Sequence, residues 1–207
     1  AEAEIEYADD PCYSIYVKFE VTDDKGKLFS MGAVPGKTYV VIWTTTTWTL
    51  PANVAICLGP NFDYDLLKVN REGETEYYVV AKELAANVMQ EAGIEEYEVV
   101  GTVKGSDLEY VECAHPFLNR KSILILGDHV TLDSGTGCVH TAPGHGMDDF
   151  MVVTQHYPEI PFTVPVDAEG RMTEEAGFSA GLTTDEASKV IAKHIQESGH
   201  LLATKKL

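Results

Sequence analysis

The feature that most constrains this chain is a succession of short strand-like runs that lacks the regular β-α alternation of a parallel sheet. Ile15, Val17, Phe19 and Val21 alternate with Tyr16, Lys18 and Glu20, the period of two of a half-buried strand, and Asp23, Asp24 and Gly26 mark the turn after it. Residues 38–45 are β-branched and aromatic, as a buried strand requires. Further strands are predicted at 65–69 and 76–80, joined by the turn Arg71-Glu72-Gly73, and at 97–103, 108–113, 122–126 and 137–141. Helical signals are fewer. Leu84, Val88 and Met89 share one face of 82–91, which ends at Gly93, and a second helix runs from near Asp148 to about Tyr157, where Pro158 stops it. Asp167-Ala168-Glu169-Gly170 reads as a hairpin turn. The last helix is the best marked: Thr183 and Glu186 fit a capping box, Val190, Ile191 and Ile195 supply its apolar face, and Gly199 suits its C-terminal cap before a return strand at 201–203. The pattern predicts an α+β fold: a mostly antiparallel, barrel-like sheet core with about three peripheral helices. No repeat, low-complexity tract or linker divides the chain, so residues 1–207 read as one domain.

Composition narrows the function classes. With 44% apolar and 23% charged residues the 207-residue chain is globular in type, and no apolar run approaches the ~18 residues of a membrane span. A formal charge of −18 opposes freestanding nucleic-acid binding, because phosphates are repelled at long range. Cys12, Cys57, Cys113 and Cys138 are scattered with no C-x-x-C pair, which argues against structural zinc and for buried thiols of a reducing, cytoplasmic compartment. Nothing in the sequence points to oligomerisation, and a monomer is expected. Ala1 in place of an initiator Met suggests a fragment or processed chain.

Two stretches are polar where a core strand should be apolar. The first is Trp43 to Asn53 (WTTTTWTLPAN), whose consecutive threonines offer hydroxyls that both donate and accept, although threonine is also simply a good strand former. The second is Asp133 to Phe150 (DSGTGCVHTAPGHGMDDF). Glycines at 135, 137, 144 and 146 permit tight turns or close approach, and a strand bearing His140 leads through a Gly/Pro loop to a helix opening with two carboxylates. Asp148 is expected to cap that helix, with Asp149 inside its first turn and pointing elsewhere. Three chemistries suit the segment. His140, His145 and an aspartate could ligate zinc or iron, though their spacing matches no metal motif. Cys138 and His140, two apart on one strand face, could form a nucleophile and base, though no third orienting group is evident. The third is a binding pocket with a carboxylate for an ammonium group, a histidine wall and hydroxyls that hold a water.

These two motifs, with HPFLNR (115–120), LGDHVTLD (126–133) and PVDAEGRMTEEAG (165–177), resemble the editing domain inserted into bacterial-type class I isoleucyl-tRNA synthetases. The resemblance runs from about Ser14 to the C-terminal strand. Valyl and leucyl relatives typically carry arginine where this chain has Thr46, and valyl enzymes lysine where it has His140, which favours the isoleucyl family. The aminoacylation motifs are absent, so amino-acid activation, with its ATP binding, is expected only of a full-length enzyme. The resemblance implies ester hydrolysis of Val-tRNA(Ile) in a pocket that rejects isoleucine by size. It implies that Asp149 binds the α-ammonium, His140 forms the wall, and Thr44, Thr45 and Thr46 contact the terminal ribose or the hydrolytic water. Trp48 and Asn53 would shape or anchor the site. No metal or organic cofactor is implied. The implied partners are the aminoacylated 3′ end of tRNA(Ile), its valine moiety and the remainder of the synthetase. The alternatives are a non-catalytic insert that docks tRNA or braces the synthetase, and an unrelated cysteine- or metal-dependent hydrolase. The chain departs from the family pattern at Thr47, where proline is usual, and at Phe150, where tyrosine is common.

Overall fold

A computed structural model describes residues 13–207; Cys12 lies outside them. The first strand, β1 (Tyr13–Asp23), organises the sheet. Its alternation predicts one wet face, yet Tyr16 and Lys18 are as buried as the apolar positions between them. Lys18 is tolerated there because Glu76 pairs with its ammonium at 2.9 Å and the Tyr39 ring lies 4.6 Å beneath it.

β1 pairs along one edge with β2 (Thr38–Thr44). Its other partners divide the strand: β10 (Leu201–Lys206) takes the first half, and β7 (Glu112–Ala114) pairs with Val21 and Asp23. β2 continues in parallel to β5 (Glu74–Ala81), then antiparallel to β4 (Asp63–Arg71) and β6 (Tyr97–Lys104). On the other side β7 leads to β8 (Lys121–Leu126), β3 (Ala55–Leu58) and β9 (Cys138–Thr141). Two of the nine ladders among the described residues, β2–β5 and β3–β8, are parallel, so the mostly antiparallel expectation stands. The barrel does not. β6 and β9 end the sheet without pairing to each other, so it remains open although β9 packs back against β2.

Local chemistry explains the element boundaries. The β4–β5 turn is two residues, Glu72 and Gly73, both at positive φ (55° and 80°), the type I′ geometry whose twist matches the strands. The strand predicted at 108–113 shrinks to Glu112–Ala114, because Leu108 closes a 3-10 turn and Tyr110 takes φ 70°. The predicted helix at 82–91 opens as a 3-10 turn, Lys82–Leu84, before α1 (Ala85–Glu91). α2 spans Met147–His156 and α3 spans Thr184–Glu197. The α3 capping box is formed, with Thr183 Oγ1 accepting from the Glu186 N–H at 3.2 Å and the Glu186 carboxylate accepting from the Thr183 N–H at 2.9 Å. Ala187, Ile191 and Ile195 form its buried stripe, whereas Val190 lies at the flank and is 39% exposed. The turn at 167–170 forms as expected, the Asp167 N–H donating to the Arg171 carbonyl at 2.8 Å, but only an isolated bridge, Val166 to Met172, flanks it.

One large apolar cluster fills the sheet, α1 and α3. A smaller one, including Val54, Ala55, Cys57, Ile125, Val153 and Tyr157, seats α2 against β3 and β8 and so fixes where its first turn points.

Candidate active site

The threonine segment leaves the sheet at the end of β2. Trp43 is anchored by its indole N–H, donated to Ser14 Oγ at 2.7 Å. The Thr44 hydroxyl then captures the Thr46 N–H at 3.1 Å, which turns the backbone away from its strand course. A 3-10 turn, Thr47–Ala52, follows, with the Thr49 N–H donating to the Thr46 carbonyl at 3.0 Å. The threonines are therefore not equivalent: Thr44 and Thr47 are buried, Thr45 and Thr46 exposed.

The second segment supplies the facing side. Gly137 takes φ 78°, and a Cβ there would collide with the Ala81 side chain, so only glycine lets the loop close onto β5 before β9 begins. After β9, a 3-10 turn (Pro143–His145) delivers the chain to α2. The helix begins at Met147 with Gly146 as N-cap and no side-chain cap, so Asp148 does not cap it as expected; both aspartates sit in the first turn, where they still answer the dipole. Asp148 is exposed. Asp149 turns back instead, its Oδ2 accepting from the Ala142 N–H at 2.9 Å, and a side chain at Gly146 would press to 3.2 Å from that carboxylate.

These elements enclose one open cleft of about 330 Å³, lined by Thr44, Thr45, Thr46, His140, His145 and Asp149 among others. Trp48 and Asn53 do not line it. The Trp48 ring meets the His145 ring edge-on at 5.1 Å, and Asn53 is fully buried behind His140.

Both ring nitrogens of His140 are engaged. Nδ1 lies 2.8 Å from Asn53 Nδ2, and Nε2 lies 2.8 Å from Thr49 Oγ1. Burial, with His145 nearby, pushes the His140 pKa down to about 4, so the ring is neutral at physiological pH. Burial likewise lowers His145, against the pull of Asp149, and its Nε2 is buried without a hydrogen-bond partner. Desolvation raises the Asp149 carboxyl, partly offset by the Ala142 N–H and His129. Oδ2 is already held, which leaves Oδ1 to accept from a cationic ligand.

The cysteine reading loses its geometry here. Cys138 is buried, its thiol points to the Val79 carbonyl at 3.8 Å, and desolvation pushes its pKa far up, away from the thiolate a nucleophile needs. Among the described residues no three His, Cys, Asp or Glu side chains gather to hold a metal ion. Sequence reasoning missed Thr49 and Ser122, which contact His140 and Asn53 respectively. Ser122 had a faint signal, as a hydroxyl opening an otherwise apolar strand.

The structure matches the CP1 domain of a leucyl-tRNA synthetase (GlLeuRS-CP1) with a TM-score of 0.73 at 14% identity, covering 94% of this chain and 100% of that one. It matches the P. knowlesi cytosolic leucyl-tRNA synthetase editing domain with a TM-score of 0.71 at 10% identity, covering 91% and 95%. The fold is thus that of a synthetase CP1 editing domain. The sequence is similar to a segment of isoleucine–tRNA ligase: it is 54% identical over all 207 residues to the enzyme of Caldicellulosiruptor saccharolyticus. It is also 52% identical over 202 residues to that of Geobacillus thermodenitrificans. The chain spans about a fifth of these relatives, 22% and 21% of their lengths. No protein-family model matches the sequence.

Proposed function

We propose that this chain is an aminoacyl-tRNA deacylase that hydrolyses valine esterified to tRNA(Ile) and spares isoleucine. The observation that carries the reading is the convergence of the Asp149 carboxylate, the His140 ring and the Thr44–Thr46 segment on one cleft. The need for such a cleft is physical: one methylene is worth only about 1–3 kcal/mol of discrimination, and the handling of valine by isoleucyl-tRNA synthetase is the standard illustration.

Asp149 binds the α-ammonium. Burial disfavours its lone charge, and an ammonium arriving at Oδ1 compensates that cost with a charge-assisted hydrogen bond. His140 forms the side-chain wall, where valine fits and isoleucine's extra methyl clashes. Its neutral ring cannot accept a further proton without breaking a hydrogen bond, so it serves as surface and not as base. The attacking water is held by threonine hydroxyls at the cleft edge, with a ribose hydroxyl of the terminal adenosine assisting. It adds to the ester carbonyl, and as the tetrahedral oxyanion collapses the C–O bond to the ribose breaks and the ribose oxygen takes up the proton the water gives up, leaving free valine and tRNA. The remainder of the synthetase holds the tRNA body.

Deacylation of Val-tRNA(Ile) by the 207-residue chain tests the reading. Asp149→Ala is expected to slow it about 10- to 160-fold, the loss of a charge-assisted bond worth ~1.5–3 kcal/mol. Full activity in that variant contradicts the ammonium assignment.

A further inference from the structure

We propose that Ser122, Asn53 and Thr49 are positioning residues that hold His140 as a neutral ring protonated on Nε2, presenting an uncharged wall of fixed orientation to the amino acid. Its functional purpose rests on the reading of His140 given above; the tautomer assignment stands on hydrogen-bond polarity alone.

The Asn53 amide end 3.0 Å from the Ala55 carbonyl must be the NH2, because a carbonyl cannot donate. The same Nδ2 lies 2.8 Å from His140 Nδ1, so Nδ1 accepts. The ring's proton then resides on Nε2 and is donated to Thr49 Oγ1 at 2.8 Å, and the Thr49 hydroxyl passes its own proton to the Thr46 carbonyl at 2.8 Å. At the far end Ser122 Oγ donates to Asn53 Oδ1 at 2.6 Å, satisfying the remaining acceptor of a fully buried amide. Apart from the Asn53 N–H given to Ala55, the donors run one way, from Ser122 through Asn53, His140 and Thr49 to the backbone of the threonine loop. The wall is tied to the opposite side of the cleft.

A second proton on His140 would set an Nδ1–H against the Asn53 N–H, donor against donor. The titratable groups nearby are His145 and Asp149, from the loop and first turn of α2, His129, which lines the same cleft, and His115, which reaches the Leu50 carbonyl within the threonine-bearing 3-10 turn. Burial and His145 oppose a further positive charge on the ring. Asp149 is the one carboxylate lining the cleft among the described residues, and an incoming ammonium claims it. Discrimination between valine and isoleucine should therefore not change as pH crosses the ordinary histidine range.

Two-bond ¹H–¹⁵N correlation spectra of the labelled 207-residue chain, with His140 assigned by its loss in His140→Gln, read the tautomer directly. The expected spectrum has a pyrrole-type Nε2 and a pyridine-type Nδ1, unchanged from about pH 5.5 to 8. An Nδ1-protonated ring, or conversion of both nitrogens to imidazolium with a midpoint near the ordinary ~6.5, overturns the proposal. Asn53→Asp should convert the ring to imidazolium at neutral pH. Thr49→Val should leave Nδ1 unprotonated, since Asn53, oriented by Ser122 and the Ala55 carbonyl, still donates to it. Ser122→Ala should mix the tautomers and Ser122→Thr, which keeps the hydroxyl, should restore one; identical spectra for Ser122→Ala and the unaltered chain remove Ser122 from the relay. Because these spectra need no substrate, a failed tautomer with intact deacylation refutes this inference alone, and the stated tautomer without deacylation refutes the hydrolase reading alone.

Discussion

Desolvation acts on Asp149 and His140 in opposite directions and drives both toward neutrality. The difference between them is what a ligand can restore: an ammonium returns the charge of Asp149, whereas His140 already spends both nitrogens on Asn53 and Thr49. Removing the Asn53 amide should therefore cost stability as well as activity. Asn53→Ala leaves Ser122 and His140 Nδ1 buried with one partner fewer, and urea unfolding should report a loss of about 1–3 kcal/mol. His115 obeys the same logic, with Nε2 on the Leu50 carbonyl, Nδ1 accepting from two N–H groups, and a pKa pushed down by burial to about 3. Between these lowered values and the ordinary ~6.5 the unfolded chain binds protons that the folded chain refuses, so stability falls as pH falls through that window and is full above it. Thermal or urea unfolding from pH 7 to 4.5 should show this decline; stability that holds flat would deny that the two rings are buried neutral.

The α3 capping box is formed as its spacing predicts, and α3 packs against the 3-10 turn that follows the threonines. Thr183→Ala should then cost about 1 kcal/mol in unfolding measurements, with the deacylation rate falling less than for Asp149→Ala, since the cap supports the loop without touching substrate. Legibility followed periodicity. β1, β2, the β4–β5 hairpin and α3 were readable because alternation, turn chemistry or capping is local. β3 was not, because its four buried residues, Ala55–Leu58, carry no alternation, and its partners β8 and β9 lie far along the chain. The barrel expectation failed for a related reason: closure depends on whether β6 meets β9, a long-range fact that no local pattern encodes. In the cleft, His140, Asp149 and the threonines were legible as polar residues in unusual places. Thr49 and Ser122 were not, because a hydroxyl acquires its role only when folding supplies the partner.

At the scale of the whole molecule, a charge of −18 is compatible with the proposed deacylase if the domain receives an aminoacylated end without gripping the phosphates. Isolated tRNA binding should be weak, and raising salt should change it far less steeply than for a protein that neutralises many phosphates. The chain's share of its relatives, 22% by length in the first of them, is consistent with the phosphates being held elsewhere. The central claim is that size exclusion at His140 decides which ester is cut. It is tested most directly by comparing hydrolysis of Val-tRNA(Ile) and Ile-tRNA(Ile) by the unaltered chain and by His140→Ala. The unaltered chain should release valine and spare isoleucine, while His140→Ala should release both, collapsing a preference of about 10- to 200-fold. Continued full protection of Ile-tRNA(Ile) in His140→Ala would contradict the account.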